Sequence, residues 1–423
     1  MMRIRFGLVF SVTVFLGTCV AVALAAPPAP GAPKPAEAKP AGAKPLEAKA
    51  AAPGGNLVVI TVANPSSFAR ARETIALSGT ELTKIAPGFE LKKALVVDAG
   101  GRPVLSQLVD MSGDDEPDDL VFQADFAPGE VKRFNVRLGE RPHAVAAPEY
   151  KVYGRFVRER HDDFVWENDL VAHRMYGPDL ETFAKDPLVS SGIDTWAKRT
   201  NKLVVNEWYM TDDYHQDAGQ GADFYGVGKS RGCGGLGVWA GGKLYTSRNF
   251  TRSRVLANGP IRLVFELDYA PWEIPGGVHV SETKRVILDA GTPFNRFEST
   301  FAGAKGPLSV GIGIAKHPGG AVQTDAGSSS MRVWEPVKDT KGTASGNLGC
   351  AVVLSPGARL DAQATDLDYL AVTPADAAGH VAYRVGSAWD RAGHVRDAAA
   401  WAKTVESLAA RAALPLQIQL AKP

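Results

Sequence analysis

From residue 57 onward the chain is a succession of short runs in which apolar and polar residues alternate, divided by clusters of Gly, Pro and Asp. Period two marks a half-buried strand, and such clusters mark turns. Residues 57–62, 94–97, 120–124 and 133–138 are the first runs, with turns at Asp98-Ala99-Gly100-Gly101 and Pro128-Gly129-Glu130. They predict a small antiparallel β-sandwich over 56–147. From Pro148 the pattern continues in 171–176, 203–205, 261–267, 284–288 and 351–354. Helical spacing occurs once, in the Ala-rich stretch 396–413, which Pro415 ends before 416–420 alternates as a closing strand. The expected fold is all-β: the small sandwich, then a large multi-sheet domain over 148–423 with one late helix.

The first 55 residues are of another kind. Arg3 and Arg5 precede an apolar run from Phe6 to Leu24, and Ala23 and Ala25 supply the small-residue exit of a cleaved signal peptide over 1–25. A membrane anchor is the alternative, but no basic stop-transfer flank follows. A lipoprotein box would use Leu16 to Cys19, for which Thr18 is a poor residue. Apart from Leu46, residues 26–55 are Ala, Pro, Lys, Glu and Gly with Lys-Pro recurring every five residues, the composition of a stiff solvated linker. The expected location is periplasmic or extracellular, with no stable membrane insertion once the signal is removed.

Composition narrows the partners. The 423 residues exceed what one core usually supports. Lys plus Arg number 47 against 46 acidic residues, and loss of Arg3 and Arg5 with the signal leaves 45 against 46. Nucleic acid is therefore excluded as a partner, because phosphate contacts need a basic excess. Cys233 and Cys350 remain after signal removal, and export predicts a disulfide between them. The acidic loop 110–119 has carboxylates spaced for calcium, or for a plain solvated hairpin tip. No other cofactor is expected.

Candidate chemistry concentrates between 166 and 239, where Trp, Tyr and Gly interleave with His, Asp and Arg. Aromatic faces cover the C–H face of a sugar ring, planar polar groups bind its hydroxyls, and glycines allow close approach. A long polar loop packed by its own aromatics has the same composition. The expected substrate contacts are Glu167, Asn168, Trp208, Asp217, Asp223, Tyr225, Arg231 and Trp239. His215 is the candidate acid/base, since imidazole titrates near neutrality and Tyr214, Asp217 and Asp223 stand close in sequence. The other histidines at 161, 279, 317, 380 and 394 lack comparable company. His215 and Asp217 alone do not make a metal site. By period two, Arg174 shares a face with Tyr176, and Glu282 with Lys284. The expected pocket joins segments 166–178, 208–239 and 279–285, with His215, Tyr214, Arg174 and Glu282 as its catalytic set.

Glu167-Asn168-Asp169, Arg174-Met175-Tyr176-Gly177-Pro178, Tyr214-His215-x-Asp217, Asp223-Phe224-Tyr225, Ser230-Arg231-Gly232-Cys233-Gly234-Gly235 and Leu256-Ala257-Asn258-Gly259-Pro260-Ile261-Arg262 together resemble a bacterial family of unknown function, number four-eight-six-one of that series. The resemblance runs from about residue 57 to the C-terminus. It implies an exported protein associated with polysaccharide degradation, on a galactose-mutarotase-like β-supersandwich. His173 is set aside as a signature position. On that fold, one reading is a lyase that cleaves uronic-acid glycans by β-elimination. Arg174 or Arg231 with Asn168 would neutralise the carboxylate, and His215 or Tyr214 would take the proton. A second reading is glycoside hydrolysis or anomeric isomerisation by Glu167, Glu207, Asp217 or Glu282. A third is a glycan-binding protein without turnover.

Overall fold

The computed structural model describes residues 58–139, 149–185, 187–211 and 213–423. The expected signal peptide, Cys19, the whole linker and the 147/148 boundary lie outside them.

The alternation in the N-terminal part does what period two dictates. Val58, Ile60 and Val62 of Val58–Ala63 are buried, and this strand pairs with Val131–Leu138 so that Ile60 stands opposite Phe134. With Ala94–Asp98 and Gln417–Ala421 these strands make a four-stranded sheet. A three-stranded sheet of Arg70–Ser78, Asp119–Phe126 and Ser106–Val109 shares its core, where Phe122 meets Phe134 edge-on at 4.9 Å. The closing strand thus returns to the first strand of the chain.

The larger part is a supersandwich. One wall is an eight-stranded antiparallel sheet, ordered Arg252–Asn258, Arg262–Ile274, Val278–Asp289, Phe294–Ala302, His380–Trp389, Ala344–Leu354, Ser330–Lys338 and Ala321–Asp325. Two five-stranded sheets face it. The middle sheet contains Val152–Val157, Asp163–Asn168, Ala172–Met175, Asp194–Lys198 and Gly221–Ala222. The other is built on Cys233–Ala240, Ser309–Ala315 and Asp368–Pro374. An Ile193–Gly232 bridge joins the two. Their apolar faces and the inner face of the long sheet form one core, in which Phe164 stacks on Phe265 at 4.2 Å.

The predicted helix forms as Ala398–Ala413, with Asp397 accepting from the Ala400 N–H as N-cap. Trp401, Val405 and Ala409 dock it on the outer face of the long sheet, where Trp401 stacks on Phe294. Among the described residues no helix is long and apolar enough to cross a membrane.

Two expectations fail. Residues 203–205 do not make a strand: Val205 begins the short helix Val205–Tyr209, because its N–H finds the Glu167 carboxylate at 2.8 Å instead of a neighbouring strand. Cys233 and Cys350 are free, buried thiols. Burial, and then the Cys233 thiol beside it, push the Cys350 thiol well above its ordinary value.

Candidate functional site

The middle sheet has two unlike faces. Met175 points into the sandwich, where its sulfur accepts from the Tyr269 hydroxyl. Arg174, one residue earlier, therefore points to the opposite face. Antiparallel register sets Asp194 directly across from Arg174, and its carboxylate accepts two guanidinium bonds, at 2.9 and 2.5 Å. The chain between residues 213 and 232 folds over this face and adds Asp223 at 3.1 Å and the Tyr214 hydroxyl at 2.8 Å from the same guanidinium. Asp163 stands 3.7 Å away and accepts from the Tyr209 hydroxyl. Trp196, Trp208, Tyr209 and Tyr214 pack round the group.

Three carboxylates thus share one guanidinium in a buried setting. Burial is the largest effect on each group that shifts. It pushes the Asp163 carboxyl up to about 7, with Arg174 opposing, and Asp223 well above the usual range, with Asp194 adding to the rise. Burial also raises the Tyr214 phenol. Burial disfavours the charge of Arg174, but Asp194 together with Tyr214, Tyr176 and Asp163 outweighs it, and Arg174 stays cationic. Asp163 and Asp194 each keep one buried oxygen without a partner among the described residues. Just before Asp163, His161 and Asp162 both have positive φ, 53° and 63°. Two adjacent non-glycine residues in that region carry strain, and such strain clusters at functional sites.

The cluster opens at His215, whose side chain is 39% exposed. Its Nδ1 lies 3.1 Å from the Asp223 carbonyl oxygen and 3.5 Å from the Asp223 carboxylate. A carbonyl only accepts, so Nδ1 carries the proton and Nε2 of the neutral ring is left as an acceptor. The imidazole lies against Tyr214, centroids 4.6 Å apart, and Arg160 sits over the Tyr214 ring at 4.8 Å.

Of the expected catalytic set, the structure unites His215, Tyr214 and Arg174 and separates Glu282. Glu282 lies inside the sandwich, bonded at 2.6 Å to both Lys284 and Ser299, on the other side of the middle sheet from Arg174. Glu282 and Lys284 do share a face, as period two requires. Several expected contacts are structural. Asn168 is fully buried, donating to the Asp289 and Thr292 carbonyls and accepting from Leu170 and Val171. Glu167 holds Lys198 and the Val205 N–H. Arg231 is buried with its guanidinium on Ser191 and the Lys229 carbonyl. Neither Asn168 nor Arg231 can therefore meet a substrate carboxylate, and the guanidinium of Arg174 is already occupied.

Among the rest, Asp223 belongs to the cluster, and Trp208 is buried against Trp196 with its indole on Gln220. Asp217 pairs with Arg199 at 2.9 Å and caps the Gly219 and Gly221 N–H groups. Tyr225 is buried beside Cys350 and Cys233. Trp239 is half-buried on Cys233–Ala240, in the neighbouring sheet. The acidic loop turns inward: Asp110 accepts from Gly113 and Asp115, and Asp118 from Met111 and Ser112. Among the described residues no group of three or more His, Cys, Asp or Glu is arranged to hold a metal ion.

Sequence reasoning missed Asp163, Asp194 and Arg160. Only the register of neighbouring strands gathers them, although the Asp194–Trp196 alternation was a usable signal. It also missed His317, which bridges Glu335 at 2.7 Å and the Gly226 carbonyl at 2.7 Å.

Layered sheets with a buried, surplus-acidic group opening at a histidine define an all-β protein with a candidate acid/base centre. Residues 62–418 match the family described as Domain of unknown function (DUF4861), and the chain belongs to that family. An uncharacterized protein of Formosa agariphila is 32% identical over 382 residues, covering 86% of this chain and 93% of that one. Among solved structures, a glycosyl hydrolase family 38 protein from Enterococcus faecalis is similar with a TM-score of 0.45 and 12% identity, over 87% of this chain and 48% of that one. An alpha-mannosidase from Enterococcus faecalis gives 0.41 and 10%, over 87% and 46%. The chain spans about half the length of these two solved proteins.

Proposed function

We propose that this chain is an exported carbohydrate-active enzyme that cleaves a uronic-acid-containing glycan by β-elimination at the Arg174 cluster. The observation that carries the reading is the His215 ring, anchored through Nδ1 to the Asp223 carbonyl with Nε2 left as base at the open edge of a buried acidic group. Nε2 takes the proton on the carbon next to the uronate carboxylate. The electrons of that C–H bond form the new double bond, and the bond from the β-carbon to the glycosidic oxygen breaks. Tyr214 supplies the proton to the leaving oxygen. Its oxygen accepts from Arg174, so its own hydrogen is available, and its raised pKa keeps it protonated. Arg160, beside Tyr214, replaces Arg174 and Arg231 as the cation for the substrate carboxylate.

Hydrolysis is the second reading, favoured by the Asp163 carboxyl near 7, a value suited to a general acid at neutral pH. One experiment separates the readings. Purified protein is screened against uronate-rich and neutral glycans, following the absorbance of unsaturated products together with new reducing ends. Both signals on uronate glycans support elimination. Reducing ends alone mean hydrolysis, and tight binding without turnover means a binding protein. Export rests on the basic start, apolar run and Ala exit of residues 1–25. N-terminal sequencing of secreted protein should begin near Ala26, and recovery of intact Met1 in membranes contradicts it.

A further inference from the structure

The outer face of the long sheet is covered at one end by the N-terminal part, through Val109 and Val121 on Ile287, and at the other by the late helix. Between these covers opens a cleft of about 510 Å3. Its floor contains Arg296 and Arg384, which stand directly opposite each other on paired strands. Like charges in that relation repel. Arg411 joins them from the helix wall, its Nε buried without a partner among the described residues.

Most of the carboxylates lining the cleft are already held. Asp289 accepts from Arg262 at 2.7 and 2.8 Å, and Glu298 pairs with Arg296 at 2.5 Å. Glu73 lies between Arg70 and Arg411, at 3.4 and 3.5 Å. Arg384 has no such partner among the described residues. Burial, and then the nearby Arg296, hold its pKa below the ordinary value. A half-buried guanidinium facing another guanidinium is relieved by an oxyanion between them, which both forks can grip.

We propose that this cleft is an oxyanion site in which Arg384, with Arg296 opposite and Arg411 on the wall, holds a carboxylate, sulfate or phosphate group. The group belongs either to a free ion or to an acidic sugar chain. The site is remote in sequence from His215 and is tested by binding alone, so it stands or falls separately from the proposed reaction.

The test uses the full mature chain, with thermal melting and calorimetric titration. Inorganic phosphate, inorganic sulfate and an acidic oligosaccharide such as oligogalacturonate are each compared with sodium chloride at equal ionic strength, and a neutral oligosaccharide of equal length is the sugar control. Phosphate, sulfate or the acidic oligosaccharide should raise the melting point of the wild type beyond the chloride control. Arg384→Gln should weaken binding at least tenfold. Without anion that variant should melt no lower than the wild type, since a like-charge contact is gone. Arg296→Gln is the second variant and should weaken binding in the same direction. Much tighter binding of the acidic oligosaccharide than of either ion assigns the cleft to a sugar chain, and equal affinities assign it to the free ion. A wild type that responds to all three as it does to chloride overturns the site, as do two folded variants that bind like the wild type.

Discussion

Two buried ionic groups in this molecule are built to opposite charge balances. Inside the sandwich, Lys284 meets Glu282 at 2.6 Å, and Ser299 and Tyr383 complete its shell. One cation faces one anion and neither reaches water. On the outer face of the middle sheet, Arg174 faces Asp163, Asp194 and Asp223, and the group reaches solvent through His215. A matched pair has one stable protonation state and serves the fold. A surplus of carboxylates forces some of them toward neutrality, and that makes protons available near pH 7.

The largest effect should come from unbalancing the matched pair. Lys284→Ala leaves Glu282 buried and unpaired, at a cost of about 3–5 kcal/mol in denaturant unfolding. A joint Lys284→Met and Glu282→Leu change should recover most of that loss. A single variant as stable as the wild type would show that the pair does not hold the core.

On the surplus side, Tyr214→Phe removes a proposed proton donor while keeping the ring packed against Trp196. Turnover should fall roughly ten- to a hundredfold, while loss of the Arg174 bond should lower stability by only about 1–3 kcal/mol. Equal turnover by the folded variant removes Tyr214 from the reaction.

A smaller effect separates the groups by pH. The folded pKa of Asp163, about 7, lies above its ordinary 3.8. The folded state therefore binds more protons between those values, and this group's stabilising contribution, full below pH 3.8, is lost as pH rises through 7. Asp223, also raised, acts in the same sense. His173 is buried against Trp166 and held near 3, below its ordinary 6.5, so its contribution runs the other way and stability rises with pH between those values. Asp163→Asn should tilt the stability curve upward between pH 4 and 7, relative to the wild type, by at most about 1.4 kcal/mol per pH unit. Parallel curves would show that Asp163 does not titrate in that range.

The smallest test concerns the thiols. Denatured, unreduced protein trimmed of residues 1–25 should show two reactive thiols per chain, from Cys233 and Cys350. None would mean that the pair is oxidised.

The fold was largely legible, because period two in runs such as 57–62 and helical spacing in 396–413 are local signals that burial enforces. The pairing of 417–421 with 58–63 was not legible, since both strands alternate equally well against any partner. The candidate site was legible where one loop carries it: Tyr214, His215 and Asp223 lie within ten positions of one another. Arg174 was found by its company. Asp163 and Asp194 were hidden because register, not spacing, brings them to Arg174. Glu282 was wrongly included because period two says which residues share a face, but not which side of another sheet that face meets.

Turnover by His215→Ala tests the central claim most directly, measured on the glycan that the screen identifies and alongside its melting curve. A half-exposed imidazole contributes little to packing, so the melting point should stay near that of the wild type. Loss of the general base should lower the rate on the order of a hundredfold or more. A folded His215→Ala protein with near-normal turnover would contradict the account.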